Sequence, residues 1–163
     1  MKKNNQPKNL NLEPLAIAKF FYKKGINDLA IIQRLIYLTY LEVLKKENAL
    51  LFAEEWQAWS GGPVIESVLY AMLKHFYKHG NNYDKFFQLV PSLKEQKIIK
   101  HCEKLIKHYQ EYEKTNDQYK IYEETKTTPW KLARRNLADY LDKEKINLLD
   151  IVNYVRNTER IAI

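Results

Sequence analysis

Four glycines and five prolines are spread over 163 residues, and nearly all of them stand where a helix can start or stop. Turns draw heavily on these two residues, so this sparse punctuation allows mainly long helices joined by few connections. The expectation is an all-α, compact single-domain bundle of about six helices around a central helix, with room for one short β-hairpin near residues 50–60. Residues 1–10 read as a flexible N-terminal segment and residues 11–163 as one helical domain.

Hydrophobic spacing places the helices. The first opens at Asn11 to Pro14, a capping residue followed by a proline tolerated in a first turn, and runs to Gly25. Asn27 and Asp28 can cap the second, whose Leu29, Ile32, Leu35, Ile36, Leu38, Tyr40, Leu41, Val43 and Leu44 fill more than one stripe, as a helix enclosed on several sides requires. Between Lys45 and Ser60 the helical period fades. Gly61-Gly62-Pro63 then reads as a sharp turn with Pro63 at the first position of a helix carrying Val64, Val68, Met72 and Phe76. Ser92 and Glu95 have capping-box spacing ahead of Ile98, Cys102, Leu105, Tyr109 and Tyr112. Thr128-Pro129-Trp130 starts a short helix, and Asn147 starts the last one.

A chain near this length buries roughly 70% of its unfolded surface, so its core needs no disulfide or metal staple. Cys102 alone cannot form an internal bridge, and Met1 to Leu10 lacks the apolar run of a signal peptide. The expected location is the cytoplasm, with no membrane span. The net charge of +7 comes from 22 Lys and 5 Arg spread among 20 acids. Scattered lysines read as a solvated surface more readily than as a nucleic-acid face, which favours Arg and clustering. The one stripe that fits phosphate contact is Lys97, Lys100, Lys104 and Lys107.

Catalytic chemistry finds little footing. His75 and His79 have zinc-ligand spacing, but Phe76 stands where an HExxH enzyme carries its glutamate. Cys102 lies in an apolar stripe, a setting that leaves a thiol inert. No P-loop, dinucleotide fingerprint or nucleophile elbow is present. The expectation is a protein that is not an enzyme and carries no cofactor or metal. Glu54 and Glu55 with the histidines are the residues an unrecognised enzyme would use. The aromatics carry more information: three Trp, twelve Tyr and six Phe form 13% of the chain, and such side chains serve both cores and interfaces.

Three stretches together resemble one family. Gln33-Arg34-Leu35-Ile36-Tyr37-Leu38, the block from Trp56 to Gly62-Pro63-Val64, and Thr128-Pro129-Trp130 with Ala133-Arg134 resemble, in order and spacing, the conserved segments of the Panacea-domain family. That family includes SocA-like antitoxins and phage-associated GepA-like proteins, and the resemblance spans roughly residues 15–155. Ser60 and Gly61 depart from it, as does Thr125-Lys126 before the late segment.

The resemblance implies a small helical antitoxin, one Panacea-like domain over residues 11–163, that neutralises a cognate toxin protein by direct binding. One SocA-type variant delivers its toxin to a cytoplasmic ATP-dependent protease. A nucleic-acid-binding, phage- or prophage-associated regulator is the alternative, and monomer or homodimer stays open. Gln33, Leu35, Gly62, Pro63, Val64 and Pro129 are the motif positions expected to serve structure. Tyr37, Tyr40, Trp56, Trp59 and Trp130 are expected to lie near one another and to anchor the partner in part, helped by neighbouring lysines.

Overall fold

The computed structural model describes residues 5–137 and 142–161. Residues 1–4 of the N-terminal segment, and 138–141 and 162–163 of the domain, lie outside the described residues. Within them the fold is mostly helical, with eight helices and two small sheets. It is therefore not purely all-α. Two short helices, α4 (Asp84–Gln88) and α6 (Lys120–Thr125), add to the six that hydrophobic spacing reveals. Each has six residues or fewer, too short to show a period.

Helix α2 (Leu29–Glu47) is the axis of the molecule. It is buried continuously from Ile31 to Leu44 and touches α1 (Pro14–Lys23), α3 (Glu66–His79), α5 (Gln96–Lys114), α6 and α8 (Leu148–Asn157). Asp28 caps it, accepting from the backbone N–H groups of Ala30 and Ile31. At its far end Asn48 takes the left-handed conformation that stops a helix. Helix α8 begins as expected, with Asn147 accepting from Leu149 N–H at 2.8 Å.

Several expectations are corrected. Lys8–Asn9, assigned to a flexible segment, form β1 and pair in parallel with β2 (Ala49–Leu50). The hairpin lies later than residues 50–60: β3 (Gln57–Trp59) pairs antiparallel with β4 (Gly62–Val64), and β5 (Glu144–Lys145) completes a sheet in the order β4-β3-β5. Pro63 therefore sits in a strand, and α3 starts three residues later. The first-turn proline rule is overridden by hydrogen bonds that hold this backbone extended, described below. The Ser92–Glu95 capping box does not form either. The Glu95 carboxylate takes the N–H of Lys94 at 3.1 Å, and α5 begins at Gln96 without a side-chain cap.

No helix among the described residues is long and apolar enough to cross a membrane.

Candidate interaction surface

The site is built on two adjacent side chains of α2 that reach the hairpin. The Gln33 amide meets Ile65 twice: Nε2 donates to the Ile65 carbonyl at 3.0 Å, and the Ile65 N–H donates to Oε1 at 2.9 Å. Arg34 donates from Nη1 to the Pro63 carbonyl at 2.9 Å and from Nη2 to the Gly61 carbonyl at 2.6 Å. Pro63 has no N–H to offer a further strand, which suits an edge position. Gln33 and Arg34 thus act as a substitute strand along β4.

Arg34 is 4% exposed, and its guanidinium carbon lies 5.0 Å from the centre of the Tyr122 ring. Burial lowers its pKa to about 10, which leaves it charged at neutral pH. Gly62 has φ +134°, and a Cβ placed there would come within 2.8 Å of the Arg34 guanidinium carbon. Position 62 thus has no room for a side chain because an arginine approaches it closely, a reason invisible in the sequence. In the sequence Arg34 stands out only as a charged residue of the Gln33–Leu38 stretch within a largely apolar helix segment.

Three of the five expected anchors are core. Trp56 is 1% exposed, with its ring 4.9 Å from Tyr37, 5.7 Å from Tyr40 and 5.9 Å from Phe52. Tyr37 and Tyr40 are equally buried, and the Tyr37 hydroxyl shares a 2.9 Å hydrogen bond with Thr127 Oγ1. Their proximity to one another is as expected, but a surface role is not: these rings lock the 50–56 loop onto α2. Leu35, Val64 and Pro129 are buried as well.

Trp59 and Trp130, both half-buried, bring the cluster to the surface. Trp130 Nε1 donates to the Trp59 carbonyl at 2.8 Å, which ties α7 (Thr128–Arg134) to β3. Arg134 Nη1 donates to the Ala58 carbonyl in the same strand at 2.7 Å. Lys126 Nζ lies 5.7 Å and the Arg134 guanidinium 5.8 Å from the Trp130 ring. Lys143 Nζ lies 5.3 Å from the Trp59 ring and 6.0 Å from that of Tyr70, and it also pairs with Glu66. Tyr70 is 49% exposed and meets Trp59 edge-on at 6.5 Å. Rings and cations thus alternate along one face, each contact worth about 0.5–1 kcal/mol in such exposed settings. Tyr70 lies off the buried stripe of α3, so spacing did not single it out. Leu73 and Tyr77 follow it at helical-face spacing, and Tyr77 is largely exposed. Phe76, placed on the buried stripe by spacing, is 44% exposed because only Val68 and Met72 of α3 reach the core.

Other candidates resolve differently. His75 and His79 lie side by side, rings 4.7 Å apart, with His75 Nε2 at 2.8 Å from the Asn82 carbonyl. No group of three metal-ligating side chains occurs among the described residues. Cys102 is buried, and burial raises its thiol to about 12. In the lysine stripe, Lys97 pairs with Glu47 at 3.4 Å and Lys104 with Glu42 at 3.2 Å, so half its charge is matched by α2. Sequence reading missed a further cluster, in which His108 Nε2 lies 2.8 Å from the Glu124 carboxylate and the Tyr112 hydroxyl donates to the same group. It pins α6 to α5.

No protein-family model, curated protein or solved structure matches the chain.

Proposed function

We propose that the chain is an antitoxin-type binding module that neutralises a cognate toxin protein by direct contact. The observation that carries this reading is the surface formed by Trp59, Trp130 and Tyr70 with Lys126, Lys143 and Arg134. Large rings whose orientation is already fixed lose little entropy when a partner covers them, and Trp, Tyr and Arg are the residue types that dominate binding hot spots. Cations stacked against the rings steer a partner carrying acidic side chains. The resemblance of the Gln33–Leu38, Trp56–Val64 and Thr128–Arg134 stretches to Panacea-domain antitoxins supports the same reading. Delivery of the bound toxin to an ATP-dependent protease is a variant of it that uses the same contact.

The test is co-expression with the product of the neighbouring reading frame. Wild-type protein restores growth and co-purifies with that product. Tyr70→Ala and Trp130→Ala lose both effects while far-ultraviolet circular dichroism stays helical, and Leu89→Ala, altered at a 90% exposed position away from this surface, retains both. Full rescue by the Tyr70→Ala/Trp130→Ala double variant would reject the surface. Tight DNA binding that falls steeply with salt would favour the regulator instead, through Lys100 and Lys107.

A further inference from the structure

Helix α3 gives only Val68 and Met72 to the core. Its outward side carries Tyr70, Leu73, Lys74, Tyr77 and Lys78, all exposed except the partly covered Leu73. Tyr70 and Tyr77 stand seven residues apart, two turns or about 10 Å along the axis, with Leu73 between them. Tyr77 is 81% exposed, and its one ring contact among the described residues is with its neighbour Phe76. The charges on this side are unbalanced. Glu66 is the only acid of α3, and Lys143 already pairs with it. Lys74 and Lys78 form no ion pair with the described residues.

We propose that this side of α3 docks an acidic amphipathic helix of the toxin. Apolar side chains of that helix cover Tyr70, Leu73 and Tyr77, and its carboxylates lie over Lys74 and Lys78. The inference rests on the toxin-binding reading and extends that surface from Trp59 and Tyr70 along α3. Backbone chemistry selects a helix as the occupant. The N–H and C=O groups along the middle of α3 are spent inside it, so an extended segment laid across these rings finds no ladder to join and buries its own backbone groups unpaired. A helix brings those groups already satisfied, and about three turns of it cover both rings. Rings two turns apart with a leucine between them also match apolar residues at i, i+3, i+4 and i+7 on a partner. Charge selects the acidic flanks, since two unmatched lysines steer the encounter and penalise a basic partner. The same lysines argue against a second copy of the chain. Two-fold pairing of α3 with itself sets Tyr70 opposite the other copy's Tyr77 and brings Lys74 beside its symmetry mate, like charges with no acid to separate them.

The probe is a designed helical peptide of about four turns, with leucine at i, i+3, i+4 and i+7 and glutamate on both flanks. Titrated to about 1 mM into the full, ¹⁵N-labelled chain, it moves the backbone resonances of Tyr70, Lys74 and Tyr77 saturably. Lys74→Glu/Lys78→Glu, at two exposed positions, weakens binding about 10-fold while circular dichroism stays helical. A peptide with lysine for every glutamate, and one with a proline at its centre, each bind at least about 10-fold more weakly. No saturable shift on α3, equal affinity for the lysine peptide, or undiminished affinity for the proline peptide overturns the proposal. Wild-type dimerisation that Tyr77→Ala abolishes overturns it too, by assigning the face to a second copy. In co-expression, Lys74→Glu/Lys78→Glu loses the neighbouring product as Tyr70→Ala does. Its retention by the charge-reversed variant, with loss in Tyr70→Ala and Trp130→Ala, sinks the α3 helix contact and leaves the toxin surface standing. Retention by all three rejects that surface as well.

Discussion

The Arg34 guanidinium occupies the space that any side chain on Gly62 would need. Its Cζ and Nε lie 2.8 and 2.9 Å from where a Cβ would stand, and the glycine's φ of +134° is itself a conformation other residues avoid. Gly62→Ala is therefore expected to cost about 1–3 kcal/mol in urea unfolding. Gly61→Ala, where the nearest atom is Arg34 Nη2 at 3.2 Å, costs clearly less. Equal losses would show that the guanidinium yields as easily at one position as at the other.

Gln33→Leu strands the buried Ile65 N–H, whereas the Ile65 carbonyl keeps the Leu69 N–H at 3.1 Å. With one buried group left unsatisfied, the expected loss is about 1–3 kcal/mol, read from urea unfolding. The junction between β4 and α3 then loosens, visible as faster hydrogen exchange at Ile65.

Trp56 and Trp130 separate by fold rather than by residue type. Trp56→Ala empties a fully buried site and costs about 3–5 kcal/mol, with loss of cooperative melting. Trp130→Ala removes a half-buried ring and one hydrogen bond, and the helical signal remains.

The pH profile follows from groups whose neutral or charged forms the fold selects. Burial raises Cys102 to about 12 and raises Tyr37 and Tyr40 as well. Folding thus favours their protonated forms. That stabilisation is complete below the unfolded values, near 8.5 for thiol and 10 for phenol, and drains away as the pH climbs through the folded values. On the acid side, the hydrogen bond from His101, with Lys97 nearby, lowers Glu47, and Lys120 lowers Asp117. Their contributions are present above about pH 4.5 and vanish as the pH falls through the depressed values. Urea midpoints are expected to be flattest between about pH 5 and 8.5, and Ellman's reagent at pH 8 reacts with Cys102 only after unfolding.

Glu124→Ala deprives both His108 and Tyr112 of their acceptor. Loss of about 1–2 kcal/mol is expected, together with faster hydrogen exchange across α6 and unchanged protection in α2. Uniform loosening of the whole chain would show that α6 has no separate attachment.

The long helices are legible because their cores repeat at helical spacing: α2 announces itself by apolar residues that fill more than one stripe, and Asp28 and Asn147 cap where short polar side chains should. Parts decided by contacts between distant residues were not. Nothing local shows that Gln33 and Arg34 would hold Pro63 in a strand, since the same Gly-Pro step fits a helix start equally well until the arginine arrives from 29 positions away. Ser92 and Glu95 had the right spacing, but a competing N–H one residue away took the carboxylate. The aromatic cluster could be foreseen as a cluster because its members bracket two loops that must close on α2. Which rings face outward depends on how deeply each loop sinks, and so Tyr70 came into view only with the fold.

The reach of Gln33 and Arg34 along β4 has a consequence for how this molecule behaves in a crowd. A small sheet ordinarily offers its outermost rung as a template, and neighbouring chains add to it edge by edge until fibres grow. Here the amide and the guanidinium occupy that rung from within. On the opposite flank the two-residue β5 presents Glu144 and Lys145, both exposed. The sheet is closed to recruitment on one side by its own axis and on the other by charge.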